Sequence, residues 1–541
     1  MHAGLKQRGS ARSAFFQDKT RALLLTLLGA GAFYTAFPPV YFWPGTIIGL
    51  TLLLVALENR SFKAAFALGW VFGAGFMGGH IWWIYVTEQS LLMWFLLVNL
   101  QAFFFALAAL FWKLWQSVTN SVLLRAGGFM LLWPAFEQLR GHVPFTGFPW
   151  GYAAYALTDS HLRAWAPLGG EVLVSAVAAL LAFIFSAVAT FQVRRLQWAF
   201  VAVLAVFALP LVIPAPQTVS AGTLRIGVVQ GNVEEPVKET YHTPNKVFNN
   251  HLAETELMLA AHQDVDLILW GETAIDLDPN WDDSIDRKLR ALARKSGVPI
   301  VTGYISELDG KRSNLYGYWT AAGQAPMQYA KQELVPFGEY LPEFFQWGPF
   351  LDLYRYGVGD LKFGEKPGVL PVEVASGQVV KLSVGICFEA AFEHVFTDRL
   401  GALGELLVVP TNNSSFGRTS QSAQQMQMVQ FRALEFQRPA IQVSTNGTSG
   451  IVSHYGTVMG ETELFTADNL VYTVELRRSV GSFRGLQVYP VREAILVFPL
   501  IVLVAFLFAK FRQLPRRRFA GDKQDPLKQP IENSEGAVKT F

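Results

Sequence analysis

The sequence predicts a membrane α-helical bundle of about eight transmembrane helices, joined to one large layered α/β domain outside the membrane. Two observations lead to this fold class. The 541 residues are 51% hydrophobic and only 16% charged, which is too apolar for an ordinary soluble protein of this length. The apolar residues are also concentrated in two regions, 22–213 and 493–510, whereas residues 222–492 have the composition of a soluble α/β protein.

Eight apolar segments of about membrane-crossing length carry the helical prediction. They lie near residues 22–38, 44–57, 64–86, 91–112, 122–138, 166–190, 197–213 and 493–510. The second segment is short, and the fifth is interrupted by Pro134. The first segment has a basic flank but no small-residue cleavage site before Pro38-Pro39, so we expect it to be retained rather than removed as a signal peptide.

Charge predicts the orientation of the helices, because cytoplasmic segments of membrane proteins are enriched in lysine and arginine. With a cytoplasmic N-terminus, the inside segments contain Arg60, Lys63, Lys113, Arg125, Arg194 and Arg195. The short outside segments contain only Arg140 and Arg163. The resulting boundaries are a cytoplasmic tail (1–21), seven transmembrane helices (22–213), an extracytoplasmic domain (214–492), a last transmembrane helix (493–510) and a cytoplasmic tail (511–541).

The extracytoplasmic domain alternates strands and helices, as expected of a layered α/β domain with both sheet faces covered. Strands are predicted at residues 224–230, 266–272, 298–304, 314–320, 379–386, 405–411, 440–445 and 449–454. Helices are predicted at residues 245–262, 283–296 (with Gly297 as C-cap) and 421–437. The domain lacks a glycine-rich phosphate loop, a His/Cys cluster with metal spacing and a basic stripe, so we expect no cofactor, no metal and no nucleic acid.

The chain has a single cysteine, Cys387, at the end of the β-like run 379–386. It has no partner for an internal disulfide, and an idle exposed thiol on an oxidising face of the membrane would be a liability. A strand that ends in a nucleophile is a common way to present a reactive atom to a cleft. The alternative is a small buried cysteine with a structural role.

Two further polar residues interrupt apolar or turn-like surroundings. Glu272 ends a buried strand, and Lys331 lies in a later loop. If they converge with Cys387 at one edge of the sheet, the carboxylate could take the thiol proton. The lysine would then stabilise the thiolate and an oxyanion, an effect worth about 3 kcal/mol. Taken alone, Glu272 could be a helix-capping or surface carboxylate, Lys331 a solvated lysine, and Glu339 a cap for the turn after Gly338.

The order Glu272, Lys331, Cys387 resembles the Glu-Lys-Cys triad of the nitrilase superfamily. The strings Trp-Gly-Glu272, Lys331-Gln-Glu-Leu-Val-Pro-Phe-Gly-Glu339 and Gly-Ile-Cys387-Phe-Glu389 look like those of the apolipoprotein N-acyltransferase family. The resemblance covers nearly the whole chain without its two tails. It includes the strings Phe148-Pro-Trp150-Gly-Tyr152 and Trp165-Ala-Pro167.

The resemblance implies a nitrilase-like α-β-β-α sandwich on an eight-helix membrane base, in a bacterial cell (inner) membrane. It implies transfer of an acyl chain from a phospholipid donor, through a thioester on Cys387, to the α-amine of a diacylglyceryl-apolipoprotein acceptor. Glu272 would be the general base and Lys331 would stabilise charge. Glu339 would be a second carboxylate that supports the lysine, and Glu389 would help to hold the site.

One stretch departs from the family pattern. Proteobacterial members tend to carry Asn-Asp-Ala-Trp-Phe-Gly after a strand that corresponds to residues 405–411. This chain has Asn412-Asn413-Ser414-Ser415-Phe416-Gly417, which lacks the acid and the tryptophan. The departure suggests another bacterial lineage, such as an actinobacterial one, and leaves open any lipid contact carried over at this stretch.

Residues 344–356 are rich in aromatic side chains and follow soon after Glu339. Such side chains favour the membrane interface. We expect a lid that guides lipid to Cys387, with Trp347 and Phe350 as lipid-access residues. The alternative is a packed satellite core under a loop.

Two other functions remain open on the sequence alone. A membrane-anchored nitrilase-type amidase would use the same three residues with water as acceptor, although eight spans exceed what an anchor needs. A transporter or receptor with an outer binding domain would be non-enzymatic. Transporters place ionisable residues near mid-bilayer, whereas here Glu137 and Glu171 lie near the ends of predicted spans.

Overall fold

A computed structural model gives the arrangement of the chain. It describes residues 2–190, 196–235, 243–308, 310–345, 360–365, 368–396, 404–480 and 490–513. Trp347 and Phe350 lie outside these ranges, so the lipid-access prediction concerns residues that the structure does not describe.

Seven of the eight predicted apolar segments each lie on one helix, and the segment 64–86 lies on two. The first eight helices are α1 (His2–Thr35), α2 (Pro44–Leu57), α3 (Phe62–His80), α4 (Trp83–Glu88), α5 (Leu91–Val118), α6 (Val122–Arg140), α7 (Ala166–Ala189) and α8 (Leu196–Val212). The last helix of the described chain is α12 (Pro490–Gln513). By length and composition, two helices could cross a membrane: Leu91–Val118, and the stretch His161–Ala189 that includes α7.

The predicted segment 64–86 is two helices rather than one. Helix α3 ends at His80, and the short helix α4 begins at Trp83. The break frees the carbonyl of His80, which accepts a hydrogen bond of 2.9 Å from the side-chain amide of Gln424 in the α/β domain. The partner for this carbonyl lies 344 residues away in sequence, so local periodicity could not predict the break.

The α/β domain contains two six-stranded sheets. Sheet 1 has the order β12-β1-β2-β3-β4-β5, with bounds Asp468–Ser479, Thr218–Gln230, Leu267–Trp270, Ile300–Leu308, Lys311–Thr320 and Gly323–Ala330. Sheet 2 has the order β11-β10-β9-β8-β7-β6, with bounds Val458–Glu461, Gly450–Val452, Ala440–Ser444, Leu406–Thr411, Val379–Val384 and Val369–Glu373. The three central strands are parallel in each sheet, namely β1-β2-β3 and β7-β8-β9.

Helices cover the outer face of each sheet, which gives an α-β-β-α order of layers. Helices α9 (Lys246–Ala261) and α10 (Asp283–Ser296) pack on sheet 1, and α11 (Gln421–Phe436) packs on sheet 2. Strand β2 shows why both faces are buried: Leu267 and Leu269 belong to the core between the sheets, whereas Ile268 and Trp270 belong to the core under α9 and α10. The predicted cap at the end of α10 is confirmed, since Gly297 has φ +72°.

Helix α11 also joins the α/β domain to the helical bundle. It contacts α7 on one side and strands β9 and β10 on the other. Fifteen of its 16 residues are buried, although eight of those fifteen are Gln, Ser, Arg or Glu. Several of these polar side chains, among them Gln424, Gln430 and Arg432, hydrogen-bond inside the protein rather than to solvent.

Gly303 provides a test of how tightly the strands approach the site. A Cβ at Gly303 would lie 2.7 Å from the Cα of Glu272 and 2.8 Å from two further backbone atoms. We expect Gly303→Ala to lower the free energy of unfolding by about 3 kcal/mol, because backbone atoms cannot rotate away. Gly127→Ala in α6 is the control, because its Cβ would meet nothing within 4 Å. Equal thermal unfolding temperatures for the two variants in one detergent would contradict the prediction.

Candidate active site

The candidate site lies at the edge where strands from both sheets end. Glu272 follows β2 and Lys331 directly follows β5 in sheet 1, while Cys387 follows β7 and Asn412 directly follows β8 in sheet 2. The carboxyl ends of parallel strands meet at one edge of a sheet, and the two sheets bring their edges together. The convergence expected from the sequence is therefore present.

Cys387 lies in a strained turn after β7 and is the first residue of the 3-10 helix Cys387–Ala391. It has φ +52°, which is uncommon for a residue with a Cβ. Two hydrogen bonds hold the approach to this turn: Gly385 N–H donates to the carbonyl of Val408 at 3.1 Å, and Ile386 N–H donates to Glu389 Oε2 at 2.6 Å. The turn thus presents Sγ at the end of the strand instead of inside the sheet.

Lys331 lies between two carboxylates. Its Nζ is 3.2 Å from Glu272 Oε1 and 2.7 Å from Glu339 Oε1, and only 2% of its side chain is exposed. Burial alone lowers the pKa of Lys331, but the charges of Glu272 and Glu339 outweigh it and hold the pKa well above its usual value. Lys331 is therefore a fixed positive charge in a water-poor site.

Glu272 is held by groups from both sheets. Its Oε1 accepts from Lys331 and, at 2.7 Å, from the side-chain amide of Asn314 in β4. Its Oε2 accepts from the backbone N–H of Asn412 at 2.9 Å. Glu339 adds a second carboxylate on the far side of Lys331, and its Oε2 accepts from Val335 N–H at 2.8 Å.

Glu389 connects the turn of Cys387 to the loop of Lys331. Its Oε1 accepts from the backbone N–H groups of Gln332 at 2.6 Å and Glu333 at 2.8 Å, and the hydroxyl of Tyr329 donates to both of its oxygens. Its Oε2 accepts from Ile386 N–H. Burial raises the pKa of Glu389 to about 8, against the opposite effect of these N–H donors. Glu389 therefore sets the spacing between the two loops.

The environment of Cys387 favours the protonated thiol. Burial raises the pKa of Cys387 to about 12, the charge of Glu272 acts in the same direction, and Lys331 acts against both. A thiol in this setting needs a base at the moment of attack, since little thiolate exists at neutral pH.

Several residues of the site were not identified from the sequence. Asn314 donates to Glu272, Tyr329 donates to Glu389, and the hydroxyl of Thr411 acts to lower the pKa of Cys387 against the effect of burial. Asn314 ends the polar run Lys311-Arg312-Ser313-Asn314 at the start of β4, so its side chain gave no signal of a site. The contribution of Asn412 comes from its backbone, which no sequence pattern reveals.

The aromatic string at residues 148–152 lies beside the segment that carries Cys387. The ring of Phe388, next to Cys387 in sequence, stacks at 6.3 Å on Phe148 and at 6.4 Å on Trp150. The segment that departs from the family pattern lies nearby, with Phe416 at 5.2 Å from Trp83 of α4. Residues of the helical bundle therefore border the site directly.

Replacing Lys331 tests the charge arrangement. Lys331→Met would leave Glu272 and the partly buried Glu339 close together without a cation, so we expect a loss of about 3–5 kcal/mol in the free energy of unfolding. Lys311→Met, at an exposed lysine of β4, should change stability by less than about 0.5 kcal/mol. Equal stability of the two variants in denaturant unfolding would contradict the charge pairing.

The raised pKa of Cys387 predicts a distinctive pH dependence of alkylation by iodoacetamide. Since the pKa lies above the usual range, the thiolate fraction should rise about tenfold per pH unit from pH 7 to 10, without a plateau. Because the chain has only one cysteine, the same protein unfolded in denaturant is a matched control and should level off near an ordinary thiol pKa of about 8.5. A plateau below pH 9 in the folded protein would show that the thiolate is already formed.

Comparison with known proteins agrees with this architecture in both halves of the chain. Residues 29–184 match the family model of the apolipoprotein N-acyltransferase N-terminal domain, and residues 225–484 match that of the carbon-nitrogen hydrolases. A solved carbon-nitrogen hydrolase superfamily protein from Xanthomonas campestris is 17% identical, with a TM-score of 0.35, and the match covers 51% of this chain and 96% of that one.

Curated relatives named apolipoprotein N-acyltransferase match most of the chain. The protein from Pseudomonas syringae pv. tomato is 30% identical over 80% of this chain and 87% of its own length. The protein from Pseudomonas aeruginosa strain UCBPP-PA14 is 31% identical over 92% of this chain and 98% of its own length. With both parts of the architecture matched in one chain, this protein belongs to the apolipoprotein N-acyltransferase family.

Proposed function

We propose that this protein N-acylates the N-terminal diacylglyceryl-cysteine of apolipoproteins, with a phospholipid as acyl donor and Cys387 as the acyl carrier. The observation that carries the proposal is the single cysteine in a strained turn beside the buried Lys331, at a site bordered by an apolar helical bundle. Relatives that match most of the chain bear the corresponding name.

In the first half-reaction, Glu272 takes the thiol proton as Sγ attacks the ester carbonyl of the phospholipid. Lys331 stabilises the developing oxyanion, because its charge is fixed in a site that excludes water. The C–O bond to the glycerol then breaks, and the lysophospholipid leaves with the proton. The product on the protein is a thioester at Cys387.

In the second half-reaction, the neutral α-amine of the acceptor attacks the thioester carbonyl. The C–S bond breaks, the proton from nitrogen returns to the thiolate, and an amide forms. The amine needs little help from a base, because an α-amino group with a pKa near 8 is partly neutral at physiological pH. Water must be excluded meanwhile, which the aromatic wall of Phe148, Trp150 and Phe388 favours.

We propose that the protein is a multi-pass membrane protein of the bacterial inner membrane, with eight spans and with the tails 1–21 and 511–541 in the cytoplasm. Large apolar side chains are exposed along α8 and α12, among them Trp198, Leu211, Leu500 and Val504. Exposed apolar surface of this kind suits lipid.

The charge distribution of the bundle supports an extracytoplasmic site. Arg60 and Arg125 lie at the ends of helices remote from the α/β domain, where α2 ends and α6 begins. The opposite ends contact the domain, as Trp83 and Trp150 do through Gln424. By the positive-inside rule, the domain then lies on the side away from the basic residues.

A hydrolytic amidase with water as acceptor receives less support. It explains residues 225–484 but gives no role to the matched N-terminal domain of residues 29–184. Phe148 and Trp150, which belong to that N-terminal part, also pack against Phe388 beside the turn that carries Cys387.

Acylation of Cys387 can be observed directly by intact mass. After incubation with phospholipid vesicles, the protein should gain one acyl mass that hydroxylamine removes, and adding a diacylglyceryl-cysteine peptide should discharge it as an N-acyl peptide. Cys387→Ala should gain nothing, and Glu272→Gln should acylate more slowly by about 100-fold or more. An adduct on Cys387→Ala, or discharge to free fatty acid with the peptide unchanged, would contradict the proposal.

A further inference from the structure

We infer that Arg432 is a positioning residue, which transmits the placement of helix α7 to the nucleophile-bearing segment Cys387–Ala391 through Glu171 and Tyr155. The inference deepens the proposed function and rests on it for the meaning of acylation rates. It assigns the helical bundle a role in setting the geometry of Cys387, in addition to any role in binding lipid.

The guanidinium of Arg432 hydrogen-bonds the backbone of the segment Cys387–Ala391. Its Nε donates to the carbonyl of Ala390 at 3.1 Å, and its Nη2 donates to the carbonyl of Ala391 at 2.9 Å. The side chain of Arg432 is fully buried. The planar fork of the guanidinium fixes both carbonyls at once, which a lysine could not do.

The same guanidinium is held on its other side by the helical bundle. Its Nη1 donates to Glu171 Oε2 in α7 at 2.8 Å. Its Nη2 donates to the hydroxyl of Tyr155 at 3.0 Å, and that hydroxyl donates in turn to the carbonyl of Ala391 at 3.2 Å. Glu171 Oε1 also accepts from Gln138 of α6. The link therefore reaches two helices of the bundle.

Helix α7 is shaped to make this link. Its backbone is non-helical at Gly170, which has φ +59° and ψ −157°, a conformation open essentially to glycine alone. A Cβ at Gly170 would lie 2.2 Å from Glu435 Oε1. Glu435 is ion-paired with Arg432, as is Glu171. The break thus lets two carboxylates approach one buried arginine.

The link matters because the segment it holds is short and strained. Glu389 fixes its start, through Ile386 N–H and the loop of Lys331. Arg432 fixes its end, through Ala390 and Ala391. With both ends held, Cys387 keeps its left-handed conformation and its distance from Lys331. Loosening the end would let the thiol move away from the lysine.

Tyr155→Phe and Glu171→Gln test the inference with small changes that keep side-chain volume. We expect each to slow alkylation of Cys387 by iodoacetamide at pH 8 by about tenfold, and the double variant by up to about 100-fold, because misplacement by about 1 Å can cost that much. With a short soluble ester, kcat for acylation should fall by a similar factor while KM stays unchanged.

Gln430→Ala is the matched control. Gln430 is buried on the same helix and also bridges the bundle to the domain, since its side-chain amide donates to Asp159 and to the carbonyl of Gly456, each at 2.9 Å. It makes no hydrogen bond to the segment Cys387–Ala391. It should lower the unfolding temperature without changing the alkylation rate at Cys387 or its pH profile.

The outcomes separate the possibilities. Slower alkylation in Tyr155→Phe and Glu171→Gln, with wild-type rates in Gln430→Ala, supports the link. Wild-type alkylation rates and pH profiles in both test variants would overturn it, and so would an equal slowing in the control. Alkylation needs no lipid, so the link is tested even if phospholipid leaves the wild-type protein unacylated, a result that would overturn the proposed function alone.

Discussion

The buried positive charge of Lys331 is the constraint on which the site depends. An ammonium group removed from water costs several kcal/mol unless carboxylates and hydrogen bonds compensate. Here two carboxylates meet it, one after β2 and one in the turn at residues 336–340. The chain must therefore bring a strand end and a distant turn within about 3 Å of one nitrogen, which leaves little freedom in how sheet 1 ends.

The same requirement extends to the second sheet through Glu272. One of its oxygens is engaged from sheet 1, by Lys331 and Asn314, and the other accepts from Asn412 N–H at the end of β8 in sheet 2. A relative slip of the sheets would leave a buried carboxylate oxygen without its donor, at a cost of about 1–3 kcal/mol or more. The position of Glu272 and the alignment of the sandwich are thus maintained by the same contacts.

The edges and the centre of the sheets differed sharply in how well the sequence predicted them. All eight strands predicted from the sequence exist, and they are the eight interior strands of the two sheets. The four that were missed, β5, β6, β11 and β12, are the four edge strands. Edge strands carry residues that weaken the β signal, such as Pro326 in β5 and Pro371 in β6. Interior strands such as β2 and β8 carry longer apolar runs, so their signal is stronger.

The residues of the site also differed in how well the sequence predicted their positions, depending on whether those positions follow from local sequence or from tertiary packing. Glu272 and Cys387 could be expected at one edge because each ends a strand predicted from the sequence, whereas Lys331 was placed only in a loop, since β5 before it was missed. Asn314 could not be expected there, because its place beside Glu272 follows from the antiparallel return of β4 along β3. The strained φ of Cys387 and the backbone donor at Asn412 are likewise products of tertiary structure, since nothing in their side chains encodes them.

Helix α11 shows why the two parts of the protein form one unit. Its glutamines and its arginine would suit a solvent-facing helix, yet they are buried, and Gln424, Gln430 and Arg432 hydrogen-bond across the boundary with the bundle. Gln424 alone accepts from the indoles of Trp83 and Trp150 and donates to the carbonyl of His80. Each such bond contributes only about 1 kcal/mol when made, but a buried partner left without it costs more.

This difference in cost means that the boundary selects one relative position of the domain and the bundle. An apolar boundary would tolerate sliding of the domain on the bundle, because dispersion contacts have no direction. Hydrogen bonds of Gln424 and Arg432 do have direction, and they fix α11 against several different elements of the bundle at once. Since α11 also carries Arg432, which hydrogen-bonds the segment after Cys387, a displacement of the bundle would reach Cys387 instead of being absorbed at the boundary.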